Sequence, residues 1–137
     1  MMPRPGPPLY PAPMKTFLFA PHVALVEDDL DVREGLQALL RSFGYRVFPY
    51  EDAQQFFDAG HGGIDCVLSD VQMPGMDGFD LLARLRADRQ GPPCVLMTAF
   101  PDAHVRARAL RGGAAGFLGK PIDAEELAAC IVQAMNG

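Results

Sequence analysis

From residue 22 onwards, short apolar runs alternate with longer segments in which apolar residues recur at a helical spacing. The runs are too short for helices and are bounded by Gly, Pro and Asp, so they predict β-strands. The five predicted strands lie at 23–26, 46–50, 65–69, 94–98 and 116–119. The second is the weakest of them, because Pro49 cannot donate a hydrogen bond to a neighbouring strand.

The segments between and after the strands predict five amphipathic helices. In the first, apolar residues at positions 32, 36, 39, 40 and 43 share one face, Asp31 and Glu34 resemble a capping box, and Gly44 is a typical helix end. The others are predicted at about 52–59, 77–87 and 102–111, and from Asp123 to near the end of the chain. Central strands that are apolar throughout favour a parallel sheet covered on both faces, a doubly wound α/β sandwich.

Composition narrows the class of protein. The chain has 137 residues, 49% hydrophobic and 21% charged, which is typical of a single globular domain. A net charge of -5 disfavours a nucleic-acid surface. The apolar stretch at 16–26 is interrupted by Pro21 and His22 and is too short to span a bilayer, so no membrane association is predicted.

Cysteine and proline usage adds two expectations. The three cysteines have neither disulfide nor zinc spacing, which indicates a reducing compartment, and we expect a cytoplasmic protein. Cys66 and Cys94 each lie four residues before a residue at a strand end, and we expect them to be level neighbours. Six of the 13 prolines lie among the first 13 residues, so residues 1–21 are predicted to be a disordered extension and residues 22–137 the folded domain.

Polar side chains stand at the ends of four predicted strands. Glu27 and Asp28 follow the first, Asp70 the third and Lys120 the fifth, while Thr98 ends the fourth. Taken alone, Asp70 would be an ordinary turn residue, because a Pro/Gly segment follows it. In a parallel sheet, however, all these strand ends meet at one edge, where such folds bind ligands. We therefore expect the five side chains to converge.

This set of side chains suits phosphoryl transfer. Three clustered carboxylates repel one another unless they hold a cation, and hard oxygen ligands suit Mg²⁺, for which Mn²⁺ could substitute. Lys120, one of two lysines against ten arginines, and the Thr98 hydroxyl are suited to phosphoryl oxygens. Asp70 is then the candidate nucleophile, since carboxylates can form acyl phosphates. No glycine-rich nucleotide loop follows any strand.

Four segments, in their order and spacing, resemble the receiver domain of two-component response regulators, the CheY-like family. They are VEDD at 26–29, DVQMPGMDG at 70–78, MTA at 97–99 and GFLGKP at 116–121, and the resemblance covers residues 22–136. It implies a flavodoxin-like (βα)5 fold with strand order 2-1-3-4-5. It also implies that Asp70 accepts a phosphoryl group from a sensor histidine kinase or a phosphotransfer protein.

The resemblance assigns a role to each site residue. Asp28 and Asp70 are implied to bind Mg²⁺ directly, Glu27 through a water molecule, and Gln72 through its backbone carbonyl. Thr98 and Lys120 are implied to contact the phosphoryl group.

Further implied features concern switching. Thr98 and Phe117 are implied to act as switch residues and the Lys120–Pro121 peptide to be cis. For Phe117, core packing is the plain alternative. Phosphorylation is expected to remodel the face of the fourth helix, fifth strand and fifth helix, a candidate surface for a homodimer or another partner. An ordinary solvated helix is the alternative there. Phe100, two residues after Thr98, is expected to slow hydrolysis of the acyl phosphate.

Two other classes share part of the pattern. A haloacid-dehalogenase-like hydrolase resembles it at the nucleophile, but carries a second Asp as general acid where this chain has Gln72. A receiver that works without phosphorylation is disfavoured, because every expected active-site group is present. The predicted function is therefore a signalling domain that catalyses only its own phosphorylation and dephosphorylation, without direct binding to nucleic acid or membrane.

Overall fold

The computed structural model describes residues 20–137, which form a five-stranded parallel sheet between two layers of helices. The elements, in chain order, are β1 (His22–Val26), α1 (Leu30–Ser42), β2 (Arg46–Tyr50), α2 (Ala53–Ala59), β3 (Cys66–Asp70), α3 (Gly78–Ala87), β4 (Cys94–Thr98), α4 (Ala103–Arg111), β5 (Gly116–Gly119) and α5 (Ala124–Asn136). The predicted strands and helices are all present. The predicted extension lies, as far as residue 19, outside the described residues.

The strand order is β2-β1-β3-β4-β5 and every pairing is parallel, which confirms the predicted doubly wound fold. Asp70 at the end of β3 lies opposite Met97, and Thr98 at the end of β4 lies opposite Gly119. Because the register keeps these strands level, their carboxyl ends finish together at one edge of the sheet.

Hydrogen bonds fix the amino-terminal edge of the sheet. The backbone N–H of His22 donates to Oδ2 of Asp65 at 2.8 Å, and the His22 carbonyl accepts from the Asp65 N–H at 2.8 Å. Pro21 is buried, and its carbonyl accepts from the Arg46 N–H at 3.0 Å. Asp65 therefore holds the start of β1, and β3 runs from Cys66 to Asp70, one residue later than predicted.

Two apolar clusters cover the two faces of the sheet. The cluster under α1 and α5 includes Leu40 and Ile131, and the cluster under α2, α3 and α4 includes Phe56, Leu85 and Ala109, all fully buried. Full burial of one large apolar side chain contributes about 1.5–3 kcal/mol. The apolar strands are thus covered on both sides, and polar groups are left to the sheet edges.

The cysteine prediction is partly wrong. Cys66 and Cys94 are buried and free, but Cys94 pairs with Val67, one residue beyond Cys66. Because successive strand residues point to opposite faces, Cys66 joins the cluster under α1 and α5 and Cys94 joins the other. Both cysteines lie four residues before the end of their strand. The two strand-end residues, Asp70 and Thr98, are not paired with each other, so the cysteines are offset by one residue.

Every helix begins after an aspartate whose side chain accepts a hydrogen bond from the backbone N–H three residues later. These N-caps are Asp29, Asp52, Asp77, Asp102 and Asp123. The predicted cap of α1, Asp31, is wrong: it lies in the first turn, where its charge still interacts favourably with the helix N-terminus. Among the helices of residues 20–137, none is long and apolar enough to cross a membrane.

Candidate functional site

The strand ends form an acidic cleft. Glu27 is fully buried directly after β1, Asp70 is 5% exposed at the end of β3, and Asp28 is exposed to solvent. One carboxylate oxygen from each lies within 4.8 Å of the others. The structure therefore brings together the three acidic residues that the sequence placed at one edge.

Lys120 enters the cleft from the end of β5. Its Nζ lies 2.5 Å from Oε1 of Glu27 and 3.3 Å from Oδ2 of Asp70. Its backbone N–H donates to the Thr98 carbonyl at 2.8 Å, which ties the end of β5 to β4. The Lys120–Pro121 peptide is cis, as the family resemblance implied.

Asp70 has two inequivalent carboxylate oxygens. Oδ2 faces Lys120, whereas Oδ1 is buried and is the one buried side-chain polar atom without a hydrogen-bond partner among residues 20–137. Leaving an acceptor buried and unpaired costs free energy, about 1–3 kcal/mol in a typical case. This oxygen is therefore the atom in the cleft that would gain most from an added ligand.

The loop after Asp70 is folded tightly against it. The N–H of Val71 donates to the Met97 carbonyl, and the N–H of Gly78 donates to the Val71 carbonyl at 2.8 Å. A Cβ on Gly78 would lie 2.4 Å from the carbonyl oxygen of Asp70, closer than any side chain tolerates. Glycine at the start of α3 thus lets the helix approach the strand end that carries the acidic group.

The acidic pair is held by hydrogen bonds from its own loop and from α1. Oε2 of Glu27 accepts from the Asp29 N–H at 3.2 Å. The Arg33 guanidinium donates to the carbonyl of Glu27 at 2.8 Å and to that of Asp28 at 3.5 Å. Sequence reasoning missed Arg33, because an arginine in the first turns of a helix carries no local sign that it reaches back to a strand end.

Thr98 is fully buried and its hydroxyl is already engaged. It donates to Oε1 of Gln72 at 2.9 Å and accepts from the Phe100 N–H at 3.0 Å. The family resemblance implied metal binding by the backbone carbonyl of Gln72, but the hydrogen bond between its side chain and Thr98 was not predicted. Phe100 itself is 66% exposed.

Phe117 is directed into the core. It is 9% exposed and belongs to the cluster under α2, α3 and α4. The Arg106 guanidinium lies 5.8 Å from the centre of its ring, which links β5 to α4. The position agrees with core packing and places the ring beside the helix that follows Thr98.

The charges in the cleft perturb one another. Burial raises the pKa of Glu27 and of Asp70, and Lys120 offsets part of the rise in each case. Burial lowers the pKa of Lys120, but the hydrogen bond to Glu27 and the charges of Asp70 and Glu27 outweigh it, so this pKa is raised. The cleft thus holds one ammonium, paired with Glu27 and Asp70, among three carboxylates, and it is suited to a further cation.

The donor set fits a divalent metal ion of the Mg²⁺ type. Glu27, Asp28 and Asp70 offer hard oxygen ligands, and the unpaired Oδ1 of Asp70 has no competing donor among the described residues. The exposed side of Asp28 leaves room for the water molecules that Mg²⁺ keeps.

Comparison with known proteins gives a consistent result. Residues 23–132 match the family described as the response regulator receiver domain. The chain is 40% identical over 116 residues to the transcriptional regulatory protein FixJ of Bradyrhizobium diazoefficiens, a match that covers 84% of this chain and 57% of FixJ. The chain therefore spans little more than half of that relative.

Two solved structures are also similar to this chain. The response regulator StyR matches with a TM-score of 0.77 and 38% identity, over 86% of this chain and 60% of StyR. FixJ-N matches with a TM-score of 0.77 and 26% identity, over 87% of this chain and 96% of FixJ-N. With a family match over most of its length and the same five-stranded fold, this chain belongs to the response regulator receiver domains of two-component signalling.

Proposed function

We propose that Asp70 is the phospho-acceptor, and that it takes its phosphoryl group from a sensor histidine kinase or a phosphotransfer protein. The observation that carries this proposal is the state of its carboxylate. Oδ1 is buried and unpaired, while Oδ2 lies 3.3 Å from the Lys120 ammonium at the open edge of the sheet. No other aspartate in residues 20–137 has this combination.

In the transfer step, an oxygen of Asp70 forms a bond to phosphorus while the bond between phosphorus and the donor histidine nitrogen breaks. The imidazole leaves with the electron pair of that bond. Lys120 and the Thr98 hydroxyl bind phosphoryl oxygens, whose negative charge Lys120 partly neutralises. The raised pKa of Lys120 keeps it protonated for this role.

Metal binding is proposed for four residues. Asp28 and Asp70 bind Mg²⁺ directly, Gln72 binds it through its backbone carbonyl, and Glu27 through a water molecule; Mn²⁺ could substitute. When bound, the ion neutralises charge on the carboxylates and on the transferring phosphoryl group. Glu27 also holds Lys120 in the cleft, through the 2.5 Å contact between Oε1 and Nζ.

Switching is proposed to follow from the added charge, about -1.5 to -2 at neutral pH. Thr98 moves toward the phosphoryl group, Phe117 turns into the vacated space, and the face of α4, β5 and α5 is remodelled. This face carries arginines on α4 and acidic residues at the start of α5, so two copies can pair on it by opposite charge.

In this proposal the domain is a signalling element of the cytoplasm and not an enzyme with an external substrate. It catalyses only its own phosphorylation and dephosphorylation. The net charge of -5 gives no support to direct binding of nucleic acid by this chain.

The test is phosphorylation by acetyl phosphate, read out by intact mass. Wild type is expected to gain one phosphoryl group with Mg²⁺ and none with EDTA, and Asp70→Asn is expected to gain none. Asp77→Asn is the matched control, since Asn can replace Asp as the cap of α3. A wild type that gains no mass, or an Asp70→Asn that gains as much, would refute the proposal.

A further inference from the structure

The side chain of Gln72 joins the loop after β3 to the fully buried Thr98. Oε1 of Gln72 accepts the hydrogen bond of the Thr98 hydroxyl at 2.9 Å across 26 residues of sequence. The Phe100 N–H donates to the same hydroxyl oxygen at 3.0 Å. Gln72 itself is exposed, so water can replace its partner without leaving a buried amide unpaired.

A hydroxyl has one proton to donate. While Thr98 donates it to Gln72, it cannot donate it to a phosphoryl oxygen on Asp70. Contact between Thr98 and the phosphoryl group therefore requires the bond to Gln72 to break. The bond from Phe100 does not compete in this way, because there the hydroxyl is the acceptor.

We propose that the Gln72 side chain is a positioning residue that holds Thr98 in the unphosphorylated arrangement and so opposes the switch. The inference rests on the proposed function, since it takes Asp70 as the acceptor and Thr98 as the group that moves. One neutral hydrogen bond must be exchanged, so removing it is expected to tighten binding of a phosphoryl-like ligand about two- to tenfold.

The test uses beryllofluoride with Mg²⁺ as the phosphoryl-like ligand, titrated into the full chain and followed by ¹⁹F NMR. Gln72→Met keeps the length of the side chain and removes its amide, and its dissociation constant is expected to fall about two- to tenfold. Gln54→Met is the matched control. It removes an exposed amide on α2 that donates to Asp58 at 2.8 Å, and is expected to leave the constant unchanged.

A double-mutant cycle separates this role from a direct contact between residue 72 and the ligand. In a Thr98→Val background the hydroxyl is absent, so adding Gln72→Met is expected to change nothing. If Gln72→Met tightens binding equally in both backgrounds, it acts through something other than Thr98 and the proposal is wrong. Thermal unfolding of each variant checks that the fold is retained.

A second measurement needs neither ligand nor metal. Three-bond couplings of the Thr98 methyl carbon report its χ1 rotamer, which is expected to be single in wild type and averaged in Gln72→Met. Unchanged couplings would overturn the role of Gln72. A wild type that binds no beryllofluoride would refute the proposed function instead, and the couplings would still test the bond to Thr98.

Discussion

Asp70 carries a charge that the folded protein holds at a cost. Burial raises its pKa, so the folded state binds its proton more tightly than the unfolded state does. The stability that this tighter proton binding gives the folded state is present at low pH and is lost as the pH rises through the raised pKa. At neutral pH and without metal, the ionised side chain therefore destabilises the fold, although Lys120 offsets part of the cost.

Asp70→Asn is accordingly expected to raise the melting temperature of the metal-free protein at pH 7. The gain is roughly 3–6 °C if about 1 kcal/mol is recovered. It should shrink below about pH 4, where the wild-type carboxyl is protonated in both states. Added Mg²⁺ should raise the melting temperature of wild type more than that of Asp70→Asn.

The control for this prediction is Asp77→Asn, which exchanges a neighbouring carboxylate for an amide while keeping the cap of α3. Scanning calorimetry across pH gives the comparison. A metal-free Asp70→Asn that melts below wild type at pH 7 would mean that the ion pair with Lys120 outweighs burial.

Gly78 is a second residue whose identity is restricted by the site, because its backbone lies against that of Asp70. A methyl group there would overlap the Asp70 carbonyl at 2.4 Å and Val71 Cα at 2.8 Å, both backbone atoms that cannot turn away. Gly78→Ala is expected to destabilise the fold by about 1–3 kcal/mol and to slow phosphorylation, since the strand end must shift.

Gly35→Ala provides the matched comparison. Gly35 lies in α1, and a Cβ added to it would meet nothing within 4 Å, so alanine is expected to stabilise the helix by about 0.5–1 kcal/mol. Urea unfolding measures both variants. Equal changes in the two would show that the contact with Asp70 is not what requires glycine at 78.

At this scale the sequence could indicate which residues stand at strand ends, because strand length and order are local patterns. It could not indicate the Arg33 bonds to the acidic loop or the bond between Gln72 and Thr98. Each is made by a long side chain with several rotamers, and its partner is chosen only after the elements have packed.

Among the helices of residues 20–137, α4 contributes the fewest buried residues to the core. Its one fully buried residue is Ala109, and arginines supply further contacts: the Arg108 guanidinium lies 4.0 Å from the centre of the Phe79 ring on α3. Stacking of this kind contributes about 0.5–1 kcal/mol at exposed sites. The helix is thus held in part by a contact that can be released without opening the core.

Arg108→Gln is expected to lower stability by about 0.5–1 kcal/mol and to speed amide hydrogen exchange in α4 more than in α3. Arg111→Gln is the control, since it removes the same charge from the same helix without a ring contact among the described residues. Exchange rates that rise equally in the two variants would attribute the effect to charge and not to stacking.

Element bounds were predictable where one residue type decides them. Asp77 and Asp123 cap α3 and α5 as the sequence predicts, because each directly precedes an amphipathic segment. For α1 the predicted cap was Asp31, but the cap is Asp29, whose N–H also donates to Oε2 of Glu27. Asp65 is predicted to be a strand residue, but in the structure it precedes β3 and its side chain accepts a hydrogen bond from the His22 N–H.

Burial in the folded molecule limits the reaction of the cysteine thiols with reagents in solution. Cys94 is fully buried and its pKa is raised to about 12, so almost none of it is thiolate at about pH 8. Cys130 is partly exposed, and burial raises its pKa as well. In native buffer a thiol reagent is expected to label Cys130 slowly and Cys94 only through global unfolding.

Peptide mapping by mass spectrometry measures these rates, and the same mixture in guanidinium, where all the thiols are equally exposed, is the control. A substitution that raises the free energy of unfolding should slow the labelling of Cys94, because exposure of this thiol requires the sheet to open. Native labelling of Cys94 ahead of Cys130 would contradict the prediction.

The 2.5 Å contact between Glu27 and Lys120 joins residues 93 positions apart. A chain in which β5 has not yet joined the sheet lacks the ammonium that pairs with Glu27 and Asp70. On the proposed function, competence to receive a signal arrives with the last strand. A receiver in which β5 has not formed, or has locally opened, is then expected not to accept a phosphoryl group.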